Sequence, residues 1–445
     1  MSEAEVEDPR HGLRLAALGT GLVLTAVLAA RLPSWRSELG TFQALFVVAF
    51  AFYALAVKVA ARLEPTRVGI LTVLLVAVAT RVALLPVSPT LSDDLYRYVW
   101  EGRVVTHGGN PYRSGPLAPA LERLRDRELF PRVNHPELAS VYPPLAMAGF
   151  ALVARVSPTV WAMKLWVILH DLALVACVLA WARPGRTSLG AALAYAWNPL
   201  VLVEYAGTGH NDPTAMLWLV LALIWAERSP IASAMALAVG VLVKLAPLAA
   251  LPFLLRRWPW RARLTSLLML GVGLGGYWLA TRGPDSGLSA YWRTWLNNEL
   301  AFHYLAAWTG RPDIARLLAL GVATAVAVMA WTAAWDATRA ARALLRTGVL
   351  VSPVAHPWYF GWVLVLEPLT GGVRASFAPW ALLSATCILS YGLFAPPREG
   401  GAYHLPLAWR WLEYGAPLAL AAGIARFARA SQRTGDGVSA RREDG

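Results

Sequence analysis

Long apolar runs alternate with short polar punctuation along the whole chain. The runs fall near 13–31, 40–60 and 67–88, then near 160–182, 187–203, 212–226, 231–256, 263–281, 312–335, 341–370, 374–392 and 409–427. Many approach the roughly 20 residues a helix needs to cross a hydrocarbon core of about 30 Å. Lipid offers the backbone no hydrogen bonds, so the pattern predicts spanning helices and an all-α, polytopic membrane fold. One long polar stretch, 89–141, breaks the series. "YPPLAMAGFALVARV" (142–156) follows it, apolar but short, which fits a re-entrant or interfacial helix better than a span.

Two runs carry their own interruptions: 231–256 at Lys244, with Pro247 just beyond, and 341–370 at His356-Pro357. Splitting each into an up-and-down pair gives about fourteen crossings and keeps the basic segments on one side. The expected bundle therefore has about 11–14 transmembrane helices, with amphipathic juxtamembrane helices in the first long loop. Its expected divisions are N-terminal spans over 1–88, an external loop over 89–158, a transmembrane bundle over 159–430 and a disordered tail over 431–445.

Composition agrees. Hydrophobic residues make up 57% of the 445 and charged residues 15%, with a mean hydropathy of +0.48; a soluble domain carries roughly 25% charged residues. The net charge of +13 does not point to nucleic acid, because the basic residues sit in short segments between apolar runs. Lys58, Arg62 and Arg67, then Arg183 and Arg186, mark one side. So do Arg256, Arg257, Arg261 and Arg263, then Arg339, Arg342 and Arg346, and finally Arg426, Arg429, Arg433, Arg441 and Arg442. Taken as cytoplasmic, they put both termini inside the cell membrane and 89–141 on the periplasmic or extracellular face. The opening "MSEAEVEDPRHGLR" is acidic, so the first run reads as a retained span rather than a cleaved signal. Cys177 and Cys387 lie inside apolar runs and imply neither a disulfide framework nor a redox motif. The 21 tryptophans suit interfacial belts and a sugar cleft equally.

On this topology the unusual polar clusters gather on the outer side. They are Asp93-Asp94 with Arg97, "WNPLVLVEYAGTGHND" (197–212), Lys244, the loop 282–311 with Asn297, Asn298 and His303, and His356 to Tyr359. Ionisable groups near membrane depth are costly and mark function. Each also has a plainer reading. Ser92 or Asp93 could cap a helix that begins at Asp94, and Asn211 or Asp212 one that begins at Pro213. "GGNPY" (108–112) reads first as a turn. Lys244 could snorkel from a helix end, although its place between two short apolar arms suits a bound anion. His210 and Asp212 could also ligate a divalent metal, but two ligands two residues apart are weak evidence for one. Lys164 and Asp171, seven apart, suggest a buried structural pair, and Glu367 reads as uninvolved. Against mere capping, Asp93, Tyr96, Arg97 and Trp100 share one helical face by their spacing, presenting a carboxylate, a cation and an aromatic plane together.

These residues resemble the GT-C superfamily of integral-membrane glycosyltransferases. "SDDLYRYVWEGRVVTHGGNPY" (92–112) is similar to the first external loop of bacterial polyprenol-phosphate-mannose-dependent mannosyltransferases. That pattern reads Asp-x-x-Arg-Tyr-x-Trp-Asp-Gly and then Gly-x-Asn-Pro-Tyr; here Glu101 replaces the second Asp. "VYPPLA" (141–146), "WNPL", "GHND", "KLAPL" (244–248) and "HPWYFGW" (356–362) follow in the same order, so the likeness covers about 85–365. It implies inverting transfer of a hexose, mannose by resemblance, from a polyprenyl-phosphate donor to a glycolipid or other envelope glycan on the outer face. No nucleotide, cofactor, metal or nucleic acid is expected.

A sugar hydroxyl is a poor nucleophile and needs a carboxylate to take its proton; Asp93 is the first choice and Asp94 the second. The departing phosphate needs cations, for which Arg97, Lys244 and His356 are candidates. Tyr96, Trp100, Asn110, Tyr112, Tyr142, His210, Asn211, Asp212, Trp358 and Tyr359 are the expected substrate contacts, and an apolar groove between spans would take the prenyl chain. The competing classes are a lipid-sugar flippase, which would show inverted repeats meeting near the midplane, and a membrane glycan ligase.

Overall fold

A computed structural model describes residues 9–182, 185, 187–283, 286–370, 375–394 and 405–443. Arg183 and Arg186 lie outside the described residues, as do the side chains of Arg429, Arg433, Arg441 and Arg442. The described chain is helical, and its sole β-pairing is an isolated bridge between Asn297 and Val354.

Helices α1 (Pro9–Ala30), α2 (Leu39–Ala60) and α3 (Arg67–Leu84) come first, followed by α4 (Asp94–Thr106) and α5 (Pro144–Val156) in the polar region. Then come α6 (Val160–Trp181), α7 (Leu189–Ala196), the single turn α8 (Pro199–Val201), a π-helical turn Leu202–Gly207, α9 (Asp212–Trp225) and α10 (Pro230–Val243). The series continues with α11 (Leu251–Arg257), α12 (Trp260–Thr281), α13 (Gly287–Thr294), α14 (Ala301–Thr309), α15 (Pro312–Thr332) and α16 (Ala337–Val351). It ends with α17 (Phe360–Leu364), α18 (Ala378–Thr386) and α19 (Leu407–Glu443).

Among the described residues, six helices are long and apolar enough to cross a membrane: His11–Ala30 within α1, then α2, α3, α6, α12 and α15. Their outer faces stay apolar and uncovered, as Leu24, Val47, Leu71, Val272 and Leu317 show, which is what a helix facing lipid presents. Shorter apolar helices among the described residues are Pro144–Val156, Asp212–Trp225 and Pro230–Val243.

Both interruptions are helix breaks. α10 stops at Val243, Lys244 is extended, and the 3₁₀ turn Ala246–Ala250 leads into α11. α16 stops at Val351, and the 3₁₀ turn Pro357–Tyr359 leads into α17. With 14 residues each, α9 and α10 are only about 21 Å long at 1.5 Å per residue, so Asp212 and Lys244 at their neighbouring ends lie recessed. The segment carrying His356 is anchored from outside: Asn297 N–H donates to Pro353 O at 3.0 Å, and Ala355 N–H to Asn297 O at 2.8 Å. Asn298, at φ 50°, in turn donates from Nδ2 to Glu413 Oε1 of α19 at 2.7 Å.

α4 is not a surface helix. Residues 95–102 are all buried, and a Cβ on Gly102 would come within 2.3 Å of Phe150 O, so only glycine lets α4 lie this close to α5. Tyr98 stacks on Phe150 at 4.5 Å between ring centroids.

One expectation needs correction. Lys164 and Asp171 do not pair, since seven residues separate them by about 10.5 Å along α6. Each finds a nearer partner on or beside α3: Asp171 accepts from Arg81 Nε at 2.8 Å, and Lys164 Nζ donates to Leu84 O and Val87 O at 2.8 and 2.6 Å. α19 runs as helix to Glu443, with no proline after Pro417 to stop it. Glu367 is ion-paired to Arg342 at 2.9 Å and to Arg346.

Candidate active site

The acidic pair diverges. Asp93 occupies the cap position of α4 but makes no side-chain cap bond; Ser92 Oγ accepts the Asp94 N–H instead, at 3.3 Å. The capping reading thus fails for Asp93. Burial pushes its carboxyl above the usual range, opposed by Arg36, Arg132 and His135 and reinforced by Asp94. Asp93 therefore lies near Arg36, Arg132 and His135. Asp94 also meets this loop, accepting from Asn134 Nδ2 at 2.7 Å through Oδ1, but places Oδ2 3.9 Å from His210 Nε2. Its charge acts on the phenols of Tyr98, Tyr142, Tyr291 and Tyr359, and the Asp212 charge acts on three of these four. Asp94 is joined through His210, Trp358 and Tyr359 to the Asp212 and Lys244 end of the bundle.

Beneath Asp94 the chain is shaped by the π turn 202–207 and by Gly209, whose φ of +81° favours glycine. Together they deliver His210, which is 1% exposed. Its Nδ1 lies 2.8 Å from both Glu204 Oε2 and Thr208 Oγ1, and its Nε2 3.0 Å from Ser92 Oγ. The imidazole stacks on Trp358 at 3.6 Å, and His356 stacks on Trp358 at 4.1 Å. One indole is thus sandwiched between two histidines.

Lys244 is not unpaired. Its Nζ donates to Asp212 Oδ1 at 2.6 Å and sits 4.9 and 5.2 Å from the ring centroids of Tyr359 and Trp362. Trp362 Nε1–H donates to the same Asp212 oxygen at 2.6 Å. The Lys244 side chain keeps 28% exposure while Asp212 is fully covered. Two buried polar atoms nearby, Asp212 Oδ2 and His356 Nδ1, have no hydrogen-bond partner. Such atoms are expensive unless a ligand or water meets them. Asn211, at the cap position of α9, makes no cap bond and accepts from the Thr214 hydroxyl at 2.8 Å.

Other expected contacts lie elsewhere. Arg97, 5% exposed, directs Nε to Glu101 at 2.5 Å and its Nη atoms to the carbonyls of Asn134, His135 and Leu138. Four of its five N–H groups are engaged in fastening the loop 134–138, so it is not placed to receive a phosphate. Tyr96 and Trp100 are buried under the same loop, Tyr96 against Arg132 and Trp100 against Phe130. Asn110 Oδ1 accepts from Tyr112 N–H at 2.9 Å, the turn that "GGNPY" suggested. Tyr112 Oη donates to Tyr142 O at 2.8 Å, and Tyr142 packs edge-on against Tyr98. His303, on α14, packs edge-on against Tyr304. Among the described residues no three His, Cys, Asp or Glu side chains are grouped to hold a metal ion.

Sequence reasoning missed Asn134, Glu204, Tyr291 and Trp362. Glu204 alone carried a signal, as the one carboxylate inside the apolar run 199–206.

A family model described as "Alpha-(1->6)-mannopyranosyltransferase, N-terminal domain" matches residues 13–260, more than half of the chain and the whole of the Asp94, His210 and Lys244 wall. The chain belongs to this family. It is a GT-C-type membrane mannosyltransferase. The chain is also similar to "Alpha-(1->6)-mannopyranosyltransferase A" of Mycobacterium tuberculosis (strain ATCC 25618 / H37Rv), 24% identical over 375 residues that cover 71% of this chain and 68% of the relative. No solved structure matches. Family membership makes the chain a mannosyltransferase and sets aside the flippase and ligase readings.

Proposed function

We propose that this mannosyltransferase takes mannose from a polyprenyl-phosphate donor and passes it, with inversion at the anomeric carbon, to a hydroxyl of a lipid-linked or other envelope glycan on the non-cytoplasmic face. The observation that carries this reading is the line of contacts joining one carboxylate to one ammonium: Asp94 on α4 lies beside His210, His210 stacks on Trp358, Trp358 meets Tyr359 edge-on, and Lys244, after α10, sits over Tyr359.

In this reaction the acceptor oxygen attacks the anomeric carbon as its proton passes to Asp94. The bond to the phosphate oxygen breaks, and the electron pair leaves with the polyprenyl phosphate. An ammonium has three donors, and Asp212 engages one. The others, with the unpartnered His356 Nδ1, meet the growing phosphate charge, which needs cations and donors rather than a general acid. Tyr359 and Trp362 offer faces to the sugar, with Asp212 Oδ2 accepting from a hydroxyl. A small apolar cavity of about 40 Å³ lies between α1, α2 and the π turn, lined by Leu22, Ala26, Trp35, Phe46, Leu202 and Val203.

The test is incubation of purified protein with polyprenyl-phosphate-mannose, or with a nucleotide-mannose, and a panel of membrane glycolipids, read by mass spectrometry. Addition of one hexose from the lipid donor alone is expected. Transfer from the nucleotide sugar alone would overturn the donor assignment.

A further inference from the structure

We propose that His210, held by Glu204, takes on the proton that Asp94 receives, so that the acting base is the Asp94–His210 pair rather than a lone carboxylate. This rests on the mannosyl-transfer reading above.

Glu204 is 1% exposed in an apolar bundle, and burying a carboxylate there is costly without compensation. Its compensation is a set of aimed donors: Tyr391 Oη on Oε1, and Thr208 Oγ1 at 3.1 Å and His210 Nδ1 at 2.8 Å on Oε2. The π turn creates this arrangement. Thr208 N–H closes its backbone bond to Val203 O and His210 N–H reaches Glu204 O at 3.0 Å, which brings the two side chains together. Such turns recur at functional sites.

The imidazole is fixed in every degree of freedom that matters. Its plane is set by Trp358 and its Nδ1 faces two acceptors, so Nδ1 carries the proton and Nε2 keeps its lone pair. That lone pair faces Ser92 Oγ at 3.0 Å and Asp94 Oδ2 at 3.9 Å. The other charged or titratable groups around His210 are His356 across Trp358, Asp212 two residues on, and Lys164, whose stem packs under Gly209.

The chemistry follows. An isolated carboxylate is a weak base for a sugar hydroxyl, and proton transfer is most efficient when the acting base titrates near the working pH. As the acceptor oxygen bonds to the anomeric carbon, its proton moves to Asp94, and the Asp94 proton moves to His210 Nε2. The imidazolium so formed is paired with Glu204, which stays ionised, and its proton leaves to water after product release. The order carboxylate, imidazole, reacting group is the logic of a hydrolytic triad with one further carboxylate at its working end.

The test measures kcat across pH with saturating polyprenyl-phosphate-mannose for wild type, Glu204→Gln and His210→Asn, together with a proton inventory in mixed light and heavy water for wild type. Wild type should lose activity on the acid side in a limb that belongs to the coupled pair. Both variants should lose between about tenfold and a hundredfold in kcat, with the acid limb displaced toward the carboxylate range. Glu204→Gln retains the shape and an oxygen for the Nδ1–H, and the inventory on wild type needs no variant to fold; it should curve, with two protons in flight. A kcat loss with an unmoved limb, unchanged variants, or a linear inventory would overturn the relay while leaving mannosyl transfer intact. Failure of wild type to use the donor at all would overturn both.

Discussion

Lys244 Nζ lies 2.6 Å from Asp212 Oδ1, and the two close the recessed ends of neighbouring helices into one ion pair. The pair changes what Lys244 substitutions report. Lys244→Met removes a phosphate donor and also leaves the covered Asp212 carboxylate uncompensated, a change worth about 3 kcal/mol for a buried pair. The double variant Lys244→Met/Asp212→Asn removes both charges and should recover most of that stability. Donor affinity should stay weaker by about 1.5–3 kcal/mol, the range for hydrogen bonds to charged groups. Thermal unfolding and donor titration on both variants separate the effects; recovery of donor affinity in the double variant would remove Lys244 from the phosphate site.

Arg97 is a fastener. Breaking its buried pair with Glu101 by Arg97→Met should cost about 3–5 kcal/mol and expose 134–138 to protease. A variant with an intact loop and reduced donor affinity would return Arg97 to the phosphate.

Burial raises the Asp93 carboxyl, and the sign of the pH effect follows. Above its folded pKa the group is ionised in both states, so the folded state bears the cost of the buried charge. Below about 3.9, the ordinary value, it is protonated in both and the cost vanishes. Asp93→Asn should therefore stabilise the protein near neutral pH, with the gain fading as pH falls through that window. Unfolding temperatures measured across pH test this; a gain that persists at acid pH would contradict it.

Sidedness is open to direct measurement. Cysteines placed at Ser114 and Ser439 should label from opposite faces of the membrane, and labelling from one face would reverse the proposed orientation.

Much of this arrangement was legible in the chain because its signals are local. Lys244 and His356-Pro357 interrupt apolar runs, and both are helix breaks; a short run at 142–156 is a short helix; the acidic pair opens a helix at Asp94. What could not be read depends on partners distant in sequence. Arg97 looks like a free cation until the carbonyls of 134–138 fold over it. Asp171 looks like a partner for Lys164 until Arg81, ninety residues earlier, reaches it. A π turn has no sequence signature, so nothing announced that Glu204 would meet His210. The choice between Asp93 and Asp94 is likewise three-dimensional: adjacent residues at a helix start diverge, and Asp94 is the one placed beside His210.

That choice is the centre of the account, and paired asparagine substitutions test it most directly. Asparagine serves a helix start as well as aspartate does, so neither change should unfold α4. Transfer would be measured with excess polyprenyl-phosphate-mannose for Asp93→Asn and Asp94→Asn side by side. Asp94→Asn should keep donor binding and lose roughly 10²–10⁴-fold in turnover, while Asp93→Asn stays near wild type. Near-full turnover in Asp94→Asn, or the larger loss in Asp93→Asn, would contradict the site described here.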